Sequence, residues 1–145
     1  MTARREPLGR HLVFTAKAMR EAFEQTLADA GGSLGTWIVL SALSDEGVVS
    51  QTVLAGHVHV EGATITHHVD RLEADGLVRR RADPADRRVR RVELTPAGKR
   101  LHRRLLGAVK ELEAATTAGL TERQQADLRR ALDLIRSNLQ AGRPR

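Results

Sequence analysis

Apolar residues recur along this chain at two different periods, and the changes of period mark out its elements. From Leu8 to Ala30, residues Leu8, Leu12, Met19, Phe23 and Leu27 return mostly every three, four or seven positions, which predicts one amphipathic helix. Gly31-Gly32 ends it, because glycine adopts the left-handed cap conformation cheaply. Ser33 is placed to cap a second helix, on which Trp37, Leu40 and Leu43 share one side, and Asp45-Glu46-Gly47 breaks it. Ser50 then caps a short helix that passes through Leu54 and Ala55 to about His57. Val58 and Val60 flank a turn at His59, and a longer helix spans roughly Glu61 to Asp75, stopped by Gly76. A short helix, a tight turn and a longer helix form a helix-turn-helix.

Beyond Gly76 the period shortens. Leu77 to Arg81 has strand character, as does Val89 to Leu94, where the alternation is imperfect. Between them, Ala82-Asp83-Pro84-Ala85-Asp86-Arg87-Arg88 carries the proline and aspartates of a turn. Two short strands around a charged loop predict a hairpin, a wing. Thr95-Pro96 restarts a helix, with threonine as N-cap and proline at the first helical position. On it Leu101, Leu105, Ala108, Leu112 and Ala115 follow a 4-3-4-3 spacing. Gly119 breaks that helix, and Thr121 with Gln124 makes a capping box for the last one, whose Leu128, Leu132, Ile135 and Leu139 repeat a 4-3-4 seam. The predicted fold is α+β, mostly α. A winged helix-turn-helix of the kind that binds DNA is expected at 33–95, and helical regions at 1–32 and 96–145 are expected to form a dimerisation part.

Composition narrows the function classes. With 41% apolar residues among 145 the chain can bury a core, and with Trp37, Phe14 and Phe23 as its only aromatics that core must be aliphatic. No cysteine is present, which removes disulfides, thiolate metal sites and thiol redox sensing. The polar start does not read as a signal peptide, and no apolar run approaches the roughly 20 residues that span a bilayer. A cytoplasmic protein without a membrane partner is the expectation. The net charge of +6 is unevenly spread. Residues 76–104 hold eleven Lys and Arg against Asp83, Asp86 and Glu93, a net +8, which leaves −2 for the remainder. A positive segment on a slightly acidic body is the footprint of a polyanion partner, although a solvated face or an acidic lipid patch would look alike.

The arrangement separates these readings. On the longer helix, Ile65, Val69 and Leu72 share a face that must pack on the preceding helices, with His68 at its border. Ala63, Thr64, His67 and Arg71 point the other way. Small residues let the backbone approach duplex DNA and touch thymine methyls, and an arginine takes guanine O6 and N7. An ordinary polar helix face would use the same residue types, and the flanking turn and wing favour the groove. In the wing, an aspartate at 86 is expected to pair with a neighbouring guanidinium so that another arginine projects into a narrow minor groove. The bland alternative is an exposed ion pair worth about 0–1 kcal/mol. The DNA-binding set is therefore Ala63, Thr64, Thr66, His67 and Arg71 on the helix with Arg87, Arg88 and Arg90 on the wing.

The segments Leu72-Glu73-Ala74-Asp75-Gly76-Leu77-Val78, Asp83-Pro84-Ala85-Asp86-Arg87-Arg88 and Val92-Glu93-Leu94-Thr95-Pro96-Ala97-Gly98 strongly resemble the multiple antibiotic resistance regulator (MarR) family. The resemblance covers nearly the whole chain. It implies an obligate homodimer joined by the first, fifth and sixth helices, binding pseudo-palindromic operators and released by a small ligand. It also puts His67 where the family commonly has a DNA-contacting arginine, and His59 where the turn often has glycine. Family effectors often bind between the dimer helices and the DNA-binding lobe. His11, Phe14 and Trp37 could line such a cleft, or could equally belong to the core.

Other chemistry finds little footing. His57, His59, His67 and His68 cluster in sequence, yet His67 and His68 diverge by about 100° on a helix and no ligand spacing accompanies them, so neither metal nor cofactor is expected. His68 reads as a half-buried hydrogen-bonding group. No cysteine nucleophile, phosphate loop or assembled Ser-His-Asp set points to an enzyme. The resulting expectation is a ligand-responsive, sequence-specific transcription repressor that binds double-stranded DNA. The rivals are a non-specific architectural DNA binder and a winged-helix protein-interaction module.

Overall fold

The computed structural model describes residues 7–57 and 62–142. The elements run α1 (Leu8–Asp29), α2 (Leu34–Glu46), β1 (Val49–Ser50), α3 (Gln51–His57), α4 (Gly62–Ala74), β2 (Val78–Ala82), β3 (Arg90–Leu94), α5 (Pro96–Thr116) and α6 (Glu122–Ala141). The turn at His59, with Val58, Val60 and Glu61, lies outside the described residues. Most predicted boundaries fall within a residue or two, because local capping chemistry sets them. Ser33 Oγ accepts from the Thr36 amide at 3.2 Å, and Ser50 Oγ accepts from the Val53 amide at 3.2 Å.

One element has no counterpart in the hydrophobic pattern. Residues 49–50 form a strand that pairs antiparallel with β3, Val49 opposite Val92 and Ser50 opposite Arg91. The sheet order is β1-β3-β2, so the hairpin gains a third strand from the segment entering the helix-turn-helix. Two residues are too few to show a period, and this strand exists only because β3 offers it a free edge.

The core is aliphatic, as the shortage of aromatics requires. Leu54 of α3 and Ile65, Val69 and Leu72 of α4 are buried, together with Val39, Leu40 and Leu43 of α2. Val78 and Val92 close it from the sheet. Leu27 of α1 and Leu101 and Leu105 of α5 enter the same cluster. The helices flanking the winged helix-turn-helix thus also seal its core, and the first part of the apolar spacing of α5, Leu101 and Leu105, is used there.

The junction from wing to α5 is held by Thr95 and Gly98. Thr95 Oγ1 donates to the Gly76 carbonyl at 2.6 Å and accepts from the Gly98 amide at 3.1 Å, while the Thr95 amide donates to the Leu77 carbonyl at 3.1 Å. Gly98 is buried so closely that a Cβ there would lie 2.0 Å from the Leu77 carbonyl oxygen. The Leu-Thr-Pro-Ala-Gly run is therefore a packing device that seats α5 on the end of α4.

The chain divides into two compact units between Leu112 and Glu113. In the second, Thr121 and Gln124 form the reciprocal capping box at 3.2 and 2.9 Å. No residue of α6 is buried: Leu128, Leu132 and Leu139 are exposed and Ile135 is half-buried.

Candidate nucleic-acid interface

α4 shows the two faces its sequence implies. Ile65, Val69 and Leu72 are buried, whereas Thr64, Thr66, His67 and Arg71 are exposed. Ala63 belongs to α4 by its backbone, and its side chain lies outside the described residues. His68 is half-buried against α2, where a Cβ on Gly35 would meet its ring at 2.5 Å. The small residue at 35 lets the two helices approach, so His68 acts here as a packing ring.

Thr66 is not simply presented to solvent. Its Oγ1 accepts from Gln51 Nε2 at 2.7 Å, and Gln51 Oε1 in turn accepts from Arg80 Nε at 3.2 Å. Arg80 continues the chain of contacts with Nη1 on Glu73 at 2.7 Å and Nη2 on Asp70 at 2.5 Å. The Arg80 amide also donates to Glu73 Oε1 at 3.1 Å. One guanidinium, 16% exposed, thus ties the start of α3 and the outer side of α4 to the first wing strand. Burial works against its charge, and the hydrogen bonds and charges of Asp70 and Glu73 more than offset this, so its pKa stands above the ordinary arginine value.

Inside the wing the ordering aspartate is Asp83 rather than the expected Asp86. Asp83 Oδ2 accepts from Arg91 Nε, and its Oδ1 accepts from the amides of Ala85 at 2.7 Å and Asp86 at 3.4 Å. The Arg91 hydrogen bond first, and the Ala85 amide next, hold its carboxyl below the usual carboxylate value. Asp86 instead caps the Arg88 amide at 3.0 Å. The difference is positional. Asp83 starts the turn, where a carboxylate reaches the next two amides and the opposite strand together.

Arg79 and Arg81 both donate to Glu93 across the hairpin, Arg81 at 2.9 Å. Arg87 and Arg88 lie on the exposed connection and Arg90 at the start of β3, opposite Ala82. All three are exposed, and none makes an ion pair among the described residues. Neutralised arginines therefore hold the base of the wing, and uncommitted ones occupy its outer end.

Residues 33–89, the helix-turn-helix and most of the wing, match the MarR family. The HTH-type transcriptional repressor IacR of Pseudomonas putida is 35% identical over 104 residues, 72% of this chain and 62% of its own length. The chain thus spans under two thirds of that relative. The HTH-type transcriptional repressor Rv2887 of Mycobacterium tuberculosis is 29% identical over 132 residues, 91% of this chain and 95% of its own. The solved structure of BpsR from Bordetella bronchiseptica, whose DNA binding is regulated by 6-hydroxynicotinic acid, superposes with a TM-score of 0.75 at 28% identity, covering 90% of this chain and 98% of that one.

This chain belongs to the MarR family.

Within this MarR-family chain the aromatic residues separate. Trp37 packs inside, edge-on to Phe23 at 6.3 Å between centroids and stacked on His102 at 5.7 Å. His11 and Phe14 lie exposed on α1, with the Arg10 guanidinium 5.4 Å from the Phe14 ring centre. Burial first, against the opposing charge of Asp45, holds the His102 imidazole below its ordinary pKa. Gln51, Asp70, Glu73, Arg80 and Asp83 were absent from the sequence-derived interface. A signal for Arg80 existed: period-2 alternation puts it on the face of buried Val78, away from Arg79 and Arg81.

Proposed function

We propose that this chain is a cytoplasmic, homodimeric transcription repressor, without catalytic activity, that occupies an inverted-repeat duplex site and leaves it when a small effector binds. Thr64, His67 and Arg71 of α4 face the major groove, where arginine takes guanine and the smaller groups allow close approach. Arg87, Arg88 and Arg90 reach phosphates or the neighbouring minor groove. Ala63 and Thr66 complete the helix surface, with Thr66 oriented through Gln51. The observation that carries this reading is the pairing pattern of the wing, where unpaired cations stand outward on a scaffold of paired ones.

The dimer is supported by α6, whose Leu128, Leu132 and Leu139 are exposed, and by exposed Leu8, Val13 and Phe14 on α1. Apolar stripes of this kind are covered economically by the same stripes on a second copy. A twofold axis presents two α4 helices to major grooves about 10 base pairs apart. Effector release is supported by the BpsR relative. His11, Phe14 and Trp37 remain candidate contacts for an effector seated against α1.

Selection of bound sequences from random duplex DNA tests the reading. An inverted repeat with half-sites about 10 base pairs apart is expected. Uniform affinity for all sequences would instead make the protein a non-specific binder, an outcome the concentrated basic segment alone would permit.

A further inference from the structure

Arg80 settles the direction of a run of hydrogen bonds that ends on the exposed side of α4. Its Nε lies 3.2 Å from one end of the Gln51 carboxamide, and a guanidinium can only donate. The Gln51 atom facing Arg80 is therefore Oε1, so the amino end, Nε2, faces Thr66 and meets its Oγ1 at 2.7 Å. Arg80 is itself held from turning, because Nη1 is bound to Glu73 at 2.7 Å and Nη2 to Asp70 at 2.5 Å. Asp70 and Glu73 follow Thr66 by four and seven positions, so the three share one flank of α4. Two carboxylates on a helix that approaches phosphates are a cost, and their hold on Arg80 gives them a purpose.

We propose that Arg80 and Gln51 are positioning residues for sequence reading, which lock Thr66 so that its γ-methyl meets the C5-methyl of a thymine in the major groove. A threonine in a helix divides its side chain between two χ1 rotamers. The bond from Gln51 selects one of them, and the γ-methyl on the same Cβ is fixed together with the oxygen. Thr66 is exposed while its oxygen is turned to α3, so the group it offers a duplex is the methyl. Thymine alone of the four bases carries a methyl into the major groove. The inference rests on the reading of the chain as a sequence-specific DNA binder, and it gives one position of each half-site a base. It also gives the first wing strand a part in base reading, through Arg80 and without contact to DNA.

The probe is the duplex selected from random DNA by the full chain, with each thymine replaced in turn by uracil, which lacks only the methyl. In wild type, one such replacement per half-site is expected to weaken binding about fourfold, the worth of one buried methyl. Thr66→Ser keeps the hydroxyl and deletes the methyl, and should bind the thymine and uracil duplexes equally at that position. Gln51→Met keeps the side-chain length and removes both hydrogen-bonding ends, whereas Arg80→Lys keeps the charge and loses the planar fork. Each should shrink the thymine-to-uracil ratio, measured within one protein, while circular dichroism shows the helices retained. Three-bond couplings to the Thr66 γ-methyl carbon, measured without DNA, should report one rotamer in wild type and averaging between two in Gln51→Met. A clamp that served folding alone would move neither the ratio nor the couplings. A selected duplex with no uracil-sensitive thymine, a sensitivity that survives in Thr66→Ser, or a full ratio in Gln51→Met or Arg80→Lys would overturn the proposal and leave the repressor reading standing. Couplings unaltered by Gln51→Met would overturn it as well. A wild-type protein that selects no sequence defeats the repressor reading itself, and the couplings then still judge the lock on Thr66.

Discussion

Replacing Gly98 by alanine isolates the contact that seats α5 on the winged core. The added Cβ would stand 2.0 Å from the Leu77 carbonyl oxygen, and ordinary contact begins at 3.4 Å, so the two segments must separate by about 1.4 Å. That oxygen is backbone and also accepts from the Thr95 amide, so no side-chain rotation relieves the clash. Overpacking of a tight site costs about 1–3 kcal/mol. Weakening the two Thr95 hydrogen bonds to Leu77 and Gly76 adds about 1 kcal/mol each. Against this, exchanging glycine for alanine in a helix returns at most about 1 kcal/mol of propensity. The clash therefore wins, with a net loss of roughly 3 kcal/mol and a fall in Tm of about 10 °C for a chain of this size. Thermal and urea unfolding followed by circular dichroism, at one fixed protein concentration because a dimer's stability depends on it, measures the change. A variant within about 2 °C of wild type would mean that the junction yields freely and that the motif has another purpose.

Four further outcomes follow from the interface and the helices around it. Arg87→Ala and Arg88→Ala should each lower the slope of log affinity against log salt by about 1 if the side chain meets a phosphate, and unchanged slopes in both would remove the wing from the contact. Alanine at Thr64, His67 and Arg71 should each cost roughly 1–3 kcal/mol of discrimination between operator and random DNA, measured by competition binding; an intact ratio in the triple variant would place sequence reading elsewhere. Because Asp83 is held below its ordinary value of 3.8, the stabilisation it brings to the wing is present above that pH and is lost as pH falls through the depressed pKa. The Ala85 and Asp86 amide resonances should report that loss in wild type, and Asp83→Asn should abolish the titration; an identical profile in the variant would contradict the assignment. Glutamate at Leu132 and Ile135 should produce monomers by light scattering that retain helix but no longer bind the full operator tightly, and a monomer with undiminished affinity would refute the dimer.

Local chemistry was enough to place most elements of this protein. Ser33, Ser50, Thr95 and Thr121 begin helices where their side-chain oxygens satisfy amides three residues on, and that requirement is legible in a linear sequence. The period-3.6 spacing of Ile65, Val69 and Leu72 likewise settled which side of α4 faces inward and so which residues stand exposed. What depended on partners distant in sequence could not be read in this way. Residues 49–50 become a strand only against β3, and Leu101 and Leu105 belong to the winged core only because α5 folds back over it. The wing's ordering carboxylate was assigned to Asp86 by proximity to Arg87, whereas Asp83 has the opposite strand's Arg91 within reach. The link from Thr66 through Gln51 to Arg80, Asp70 and Glu73 joins residues up to 29 positions apart. Helix caps and faces are decided by neighbours within one turn of the chain, whereas a hydrogen bond between α3 and β2 exists only once the core has brought them together.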